Sequence, residues 1–237
     1  MQNSTIVISN ERFTPDPFGA LYWLRESTLI VSDLHLEKGS RVAEKDGELP
    51  LYDTRTTLKH LSRLMRRYRP KQVICLGDAF HDQGAERPME EEDAQSLEAL
   101  MGSTQWVWVL GNHGQQPPSR FSAPSFKELK IGPITFRHEP LSGHARGEIA
   151  GYLHPCARVA AEGRILRRRC FATGDNRVIL PAMGAFTGGL NLLDDAFEGL
   201  FINRCAWVMG EEGVYPILEN SLAPDIAMGA RRQNARV

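Results

Sequence analysis

Side chains that bind divalent metals alternate at two places in the chain. An aspartate and a histidine stand at Asp33 and His35, and a tyrosine and a histidine stand at Tyr152 and His154. Residues i and i+2 of a β-strand point to the same side, so the two members of each pair are expected to face one ion. The spacing therefore predicts metal ligands on two strands.

Three further motifs place donor atoms directly after apolar runs: Gly77-Asp78, Gly111-Asn112-His113, and His138 after Thr135-Phe136-Arg137. Carboxylate, amide oxygen and neutral imidazole together favour manganese, iron or zinc, whereas an all-oxygen site would favour magnesium or calcium. A carboxylate such as Asp78 can bridge two ions about 3.5–4 Å apart, which together clamp a phosphoryl group and activate water. The donor set predicts phosphoester hydrolysis.

The first half of the chain must supply the strands that hold these motifs. Alternating and apolar runs predict strands at 4–9, 20–24, 28–32, 73–76 and 105–110, and helical spacing predicts helices at 54–68 and 89–101. The strand, helix, strand order predicts parallel crossovers, and open α/β sheets bind ligands at the carboxyl ends of such strands. Asp78 and Asn112 are therefore expected at one edge of a sheet.

The second half has a different pattern of short strands joined by tight turns. Strands are predicted at 126–131, 134–138, 148–151, 158–161, 164–172, 177–180, 206–209 and 214–217. We expect a mainly antiparallel sheet packed on the first, in one domain over residues 1–221. The small, polar and basic residues 222–237 are expected to form a flexible tail.

The order of these motifs from Asp33 to His154 resembles that of the calcineurin-like metallophosphoesterases. The resemblance implies an α/β fold, a four-layer α/β/β/α sandwich of two mixed sheets flanked by helices. It also implies two divalent ions, with manganese expected first and iron or zinc as alternatives. One ion would lie on Asp33, His35, Asp78 and His154, and the other on Asp78, Asn112 and His138.

Within that superfamily, residues 32–39, 77–82 and 181–190 are similar to the bacterial ligase-associated DNA-damage-response endonucleases, the PdeM family. This similarity implies DNA or another phosphodiester as substrate, attack by metal-bound hydroxide, and a role in DNA repair with repair proteins as partners. It also implies that His113 protonates the leaving group, because histidine exchanges its proton near neutral pH. His81 or Asp82 would orient His113 through a hydrogen bond.

Two positions depart from the superfamily pattern. His81, followed by Asp82, stands where Gly-Asp-x-x-Asp would place a carboxylate, and Tyr152 stands where Gly-His-x-His would place a histidine. A phenol is protonated near neutral pH and is then a poor ligand, so the second site is expected to be one ligand short. Water, substrate or His144 could fill the gap.

Other polar residues carry two interpretations. Arg158, with the arginines at 164 and 167–169, could contact substrate phosphates or form a solvated strand edge. His60 is expected to be an ordinary packed or solvent-facing side chain of a helix. The glycine-rich segment 184–189 could approach the substrate or let the sheet bend.

Composition leaves the class of substrate open. A chain of 237 residues with 42% hydrophobic residues can bury a sizeable core, and a net charge of -1 gives no overall attraction to nucleic acid. The sequence contains neither a secretion signal nor an apolar run long enough for a membrane helix, so a cytoplasmic protein is expected. A small-nucleotide or phosphomonoester hydrolase, and a catalytically weakened protein that binds nucleic acid or repair partners, are alternative hypotheses.

Overall fold

The computed structural model describes residues 4–37, 52–80, 89–111, 117, 119–161, 163–174 and 176–225. Its first sheet has seven strands that neighbour one another in chain order. They are β1 (Ile6–Ile8), β2 (Glu11–Pro15), β3 (Leu21–Trp23), β4 (Thr28–Ser32), β5 (Gln72–Leu76), β6 (Gln105–Val109) and β7 (Ser125–Phe126). Strands β1 to β4 pair antiparallel, and β4 to β7 pair parallel.

Two helices make the crossovers between the parallel strands, as the sequence predicted. Helix α1 (Asp53–Tyr68) connects β4 to β5, and helix α2 (Glu91–Gly102) connects β5 to β6. Leu58, Leu61 and Leu64 recur at helical spacing and are buried against the sheet. The helix ends at Arg69, which adopts the left-handed conformation of a helix cap before Pro70.

The second sheet contains nine strands. They are β8 (Glu128–Ile131), β9 (Ile134–Arg137), β10 (Glu148–Ala150), β11 (Pro155–Ala161), β12 (Arg164–Gly174), β13 (Arg177–Ile179), β14 (Leu190–Asn191), β15 (Cys205–Met209) and β16 (Val214–Leu218). Strand β10 is parallel to β9 and β13, and β11 is parallel to β14. The remaining pairs are antiparallel, so the sheet is mixed but mainly antiparallel, as predicted.

Three apolar clusters define the layers. One lies between the helices and the first sheet, one between the two sheets, and one on the outer face of the second sheet. On that outer face, Leu192 and Phe197 pack on the strands from a segment that contains a 3-10 turn, Asp195–Phe197. The predicted α/β sandwich of two mixed sheets is therefore confirmed, with a thin fourth layer in the described part of the chain.

Predicted and observed elements differ at several places, of which strand β2 is the largest. Glu11–Pro15 was not predicted as a strand, yet it pairs with both β1 and β3, and the turn begins only at Asp16. In the predicted tail, the Ala223 amide donates a hydrogen bond to the Arg158 carbonyl at 2.9 Å, and the domain limits stay a prediction. Residues 226–237 of the predicted tail lie outside the described residues.

None of the helices in the described ranges is long and apolar enough to cross a membrane.

Candidate metal centre

The candidate site lies where the parallel strands of the first sheet end. Asp33 directly follows β4, and one residue, Gly77, separates Asp78 from the end of β5. The Asp33 amide donates to the Leu76 carbonyl at 3.0 Å, and the His35 amide donates to the Asp78 carbonyl at 2.9 Å. Two ligand-bearing loops therefore run side by side beyond the sheet edge, as the α/β crossover predicts.

Two groups of ligand atoms form around this edge. Single donor atoms of Asp33, His35 and His154 lie within 4.8 Å of one another, and so do donor atoms of Asp33, Asp78 and His138. We call these the first and second clusters. Asp33 is the residue that the two clusters share, whereas Asp78 belongs only to the second. Bridging by Asp78 stays a prediction.

The two alternating pairs lie in loops, so the prediction that they lie on strands was wrong. Asp33 and His35 lie in a loop beyond β4, with φ of 51° and 43°. Tyr152 and His154 lie in the loop before β11, with φ of 71° and 45°. Left-handed conformations are unfavourable for such residues and persist where surrounding structure imposes them, often at functional sites.

The Asp33 carboxylate is the centre of the site. It is fully buried, and its Oδ1 lies 2.9 Å from His138 Nε2 and 3.5 Å from His154 Nε2. Its Oδ2 accepts hydrogen bonds from the Tyr152 amide at 3.1 Å and from the Ser32 hydroxyl. Burial alone would raise the pKa of Asp33, but the hydrogen bonds and charges of the two histidines hold this pKa far below its ordinary value.

Of the two ring nitrogens of His138, only Nε2 has a partner among the described residues, the Asp33 carboxylate. It is 3% exposed, and its Nδ1 has no hydrogen-bond partner among the described residues. Burial lowers the pKa of His138, but the hydrogen bond to Asp33 and the surrounding carboxylates outweigh burial and raise it. A buried imidazole nitrogen without a partner costs free energy unless another group binds it, and a metal ion is such a group.

Glycines allow the ligands to pack this closely. Gly77 has a φ of 72°, and a Cβ atom there would lie 1.9 Å from the His138 ring. A Cβ atom on Gly111 would lie 2.5 Å from Asp78 Oδ1. Both positions therefore admit only glycine without moving a ligand of the second cluster.

Tyr152 supports its neighbours in a way that the sequence did not predict. Its ring stands edge-on to the His138 ring, with centroids 5.2 Å apart and planes at 84°. Its backbone amide holds Asp33, as described above. Tyr152 as a whole is 42% exposed. Whether its phenol binds a metal stays a prediction.

Five predicted residues are not among the members of the two clusters. Asn112, His113, His81 and Asp82 are outside the described residues, and their predicted roles stay predictions. His144 is exposed and belongs to neither cluster.

The His60 side chain of helix α1 is packed against an aromatic ring. His60 stacks on Phe18, with ring centroids 4.6 Å apart, which agrees with its interpretation as a packed side chain.

The Arg158 side chain, predicted as a possible phosphate contact, has partners within the chain. Its guanidinium donates to the Pro224 carbonyl and lies 3.9 Å from the Asp225 carboxylate, and its side chain is 12% exposed. These contacts hold residues 222–225 against β11. A contact of Arg158 with substrate phosphates stays a prediction.

Comparison with known proteins identifies the family. The sequence model of the calcineurin-like phosphoesterase family matches residues 27–169, which is more than half of the chain. The protein therefore belongs to the calcineurin-like phosphoesterases, and its resemblance to that superfamily is confirmed. It is a metal-dependent hydrolase of phosphoester bonds. No curated protein matches the sequence significantly.

Solved structures agree with this assignment. The chain is similar to the Pseudomonas putida nuclease MPE, with 25% identity, a TM-score of 0.68, and coverage of 90% of this chain and 99% of that one. This similarity agrees with the resemblance to the PdeM endonucleases.

Two more distant structures were also found. Protein AQ665 of Aquifex aeolicus has 16% identity, a TM-score of 0.39, and coverage of 54% of this chain and 78% of that one. The Escherichia coli phosphoesterase Yfce has 10% identity, a TM-score of 0.38, and coverage of 81% and 98%. These TM-scores are too low to contribute to the argument.

The residues present suit the divalent metals that this family uses. The clusters combine carboxylates with imidazoles, a donor set suited to manganese, iron or zinc. Among the described residues the buried Nδ1 of His138 has no hydrogen-bond partner, and the missing side chain of Gly111 lets the backbone pass Asp78 Oδ1 without a clash. We conclude that this edge of the sheet is the candidate metal centre.

Proposed function

We propose that the protein is a manganese-dependent phosphodiesterase that cleaves nucleic acid, with DNA as the first candidate substrate. The observation that carries this proposal is the pair of ligand clusters that share the buried Asp33 carboxylate. The similarity to a nuclease over 90% of the chain supports a nucleic-acid diester rather than a monoester. The resemblance to the PdeM family supports a role in DNA repair.

The first cluster would hold one ion on Asp33, His35 and His154, and the second would hold the other on Asp33, Asp78 and His138. Asn112 is proposed as a further ligand of the second ion. When bound, such ions polarise a phosphoryl oxygen and lower the pKa of water, which provides a nucleophile at neutral pH.

The protein's own side chains then have separate tasks. The low pKa of Asp33 keeps this carboxylate ionised, so protons do not compete for the ligand that both clusters share. Ser32 and the Tyr152 amide hold Asp33 Oδ2, which leaves Oδ1 facing the histidines. We propose that His113 gives its proton to the leaving oxygen, with His81 or Asp82 orienting it.

The test is cleavage by the purified protein with added Mn²⁺. Wild type should cleave bis(p-nitrophenyl) phosphate and nick plasmid DNA, and Asp33→Asn should lose more than the roughly 10- to 100-fold typical of a residue that only supports a ligand. Asp16→Asn is the matched control, because Asp16 is also fully buried and bonds Tyr68 and Arg67 away from the clusters.

Three outcomes separate the hypotheses. Cleavage of DNA and the model diester, lost in Asp33→Asn and retained in Asp16→Asn, supports the proposal. Turnover restricted to cyclic nucleotides or monoesters would favour the small-nucleotide hydrolase. Retained DNA binding without turnover at any Mn²⁺ concentration would favour a weakened binding protein.

A further inference from the structure

The segment 182–190 connects the two sides of the first cluster, and we call it the bridging segment. At one end the Gly184 amide donates to the Asp33 carbonyl at 3.1 Å. At the other end the Leu190 amide donates to the His154 carbonyl at 3.2 Å. Asp33 follows a strand of the first sheet, and His154 precedes a strand of the second. The bridging segment therefore fixes two ligands that come from different sheets.

One arginine of the second sheet holds this segment. The Arg169 guanidinium, on β12, donates to the carbonyls of Ala182 at 3.1 Å, Gly184 at 2.8 Å, Ala185 at 3.0 Å and Thr187 at 3.0 Å. No carboxylate pairs with Arg169 among the described residues. Nη1 donates to Ala182, and the two hydrogens of Nη2 are shared among the other three carbonyls. Because the guanidinium is rigid and planar, four carbonyls that converge on it cannot move independently.

Two other contacts make the bridging segment tight. The Thr57 hydroxyl of helix α1 accepts a hydrogen bond from the Ala185 amide at 3.1 Å. A Cβ atom on Gly189 would lie 2.1 Å from the His154 carbonyl oxygen, so the segment runs directly against the backbone of a ligand. Any displacement of the segment would therefore move His154 or Asp33.

We propose that Arg169 is a positioning residue of the metal centre, which sets the separation of Asp33 and His154 through the bridging segment. This inference rests on the proposed function in taking the first cluster as a metal site. It gives the glycine-rich segment 184–189 a role other than the substrate loop or the bend that the sequence suggested. Partial burial of an arginine costs free energy, and the precision that metal ligation requires gives a reason for that cost here.

The role of Arg169 differs from that of a merely structural arginine. Arg204 offers the comparison, because it directly precedes β15 of the second sheet, its side chain is 15% exposed, and its guanidinium donates to the Leu192 carbonyl at 2.6 Å. The Arg204 contacts do not reach the bridging segment. Loss of either arginine should reduce stability, but only loss of Arg169 should reduce metal affinity.

The experiment measures Mn²⁺ binding to the full chain directly, through the electron paramagnetic resonance signal of free Mn²⁺. Arg169→Met should weaken binding by about 10- to 100-fold, the range found when residues supporting metal ligands are changed. The Mn²⁺ affinity of Arg169→Lys should lie between those of wild type and Arg169→Met, because lysine keeps the charge but not the planar set of donors. Arg204→Met should bind Mn²⁺ as wild type does at a temperature where all variants are folded.

Unchanged Mn²⁺ affinity in folded Arg169→Met would overturn the inference while leaving the proposed function intact. Failure of wild type to bind Mn²⁺ would instead count against the proposed manganese centre. If Arg169→Met does not fold, Thr57→Val tests the same segment more gently, with Thr57→Ser as the control that retains the hydroxyl. A weaker affinity in the valine variant alone supports the inference, and equal affinities in both refute it.

Discussion

The ring of Tyr152 stands edge-on to the ring of His138, at 5.2 Å between centroids and 84° between planes. Tyr152 therefore occupies the place of an expected histidine ligand while supporting a histidine ligand next to it. Edge-to-face aromatic pairs contribute about 0.5–1.5 kcal/mol beyond their buried area. With tyrosine in place of histidine at position 152, the chain lacks the expected imidazole but gains an aromatic contact with His138.

Replacing Tyr152 tests this exchange. Tyr152→His should raise the affinity of the second ion by about tenfold or more, because it adds an imidazole beside a site that is predicted to be one ligand short. Tyr152→Phe should leave metal affinity near that of wild type, since it keeps the ring contact and removes only the phenol. Mn²⁺ stoichiometry and cleavage of a model diester measure both. Equal stoichiometry in the histidine variant would show that position 152 does not limit the site.

Gly77 should be intolerant of a methyl group for reasons beyond backbone strain. Gly77→Ala and Gly163→Ala both put alanine at a φ above 70°, which costs about 1–2 kcal/mol in either case. Only the Gly77 variant would push against His138, whereas a Cβ atom at Gly163 meets nothing within 4 Å. We expect similar losses in unfolding free energy from strain, but a loss of Mn²⁺ affinity only in Gly77→Ala. Urea unfolding and Mn²⁺ titration of both variants measure this, and an equal loss of Mn²⁺ affinity in Gly163→Ala would contradict the prediction.

His60 should make stability depend on pH. Burial lowers the pKa of His60, and the charges of Arg63 and Arg169 lower it further. The unfolded chain, where this pKa is about 6.5, then binds the proton more readily than the folded chain. The contribution is therefore fully present above about pH 6.5 and is lost as pH falls through the lower folded pKa.

The matched measurement compares wild type with His60→Gln, which does not titrate in this range. Unfolding free energies from urea melts between pH 7 and pH 5 should show wild type losing stability relative to the glutamine variant as pH falls. A constant difference across that range would contradict the lowered pKa of His60.

Arg158 should serve the fold rather than the substrate. Arg158→Ala removes the guanidinium that binds Pro224 and Asp225, so residues 222–225 should become easier to cleave with a protease. The loss of unfolding free energy should be about 1 kcal/mol, as for an ordinary hydrogen bond. KM for DNA should not change. A raised KM with unaltered proteolysis would restore Arg158 to the substrate surface.

Much of the fold could be predicted because its signals are local. Leu58, Leu61 and Leu64 lie at helical spacing, and the apolar run before Gly77 gave a buried strand, so α1 and β5 were both predicted within one residue at each end. Strand β2 was missed because Pro15 indicates a turn locally, while its pairing with two neighbours depends on residues distant in the chain.

The sequence predicted which described residues lie together at the candidate site, but not their geometry. The types and order of Asp33, His35, Asp78, His138 and His154 predicted a metal centre, since carboxylates and imidazoles in this order are typical of one family. Their spacing did not indicate that the pairs lie in left-handed loops rather than on strands. Conformations of that kind are imposed by tertiary contacts and leave little trace in the local sequence.

The sequence alone thus determined the family, the ligand types and the two-sheet α/β architecture, because each depends on residue identity and local periodicity. Tertiary structure alone decided that Asp33 is shared by both clusters, that Arg158 holds the chain's own residues 222–225, and that Arg169 holds the segment between Asp33 and His154. These relationships join atoms from different sheets and distant positions. They arise only when the packed chain brings those atoms together, which the spacing of residues along one strand or helix cannot specify.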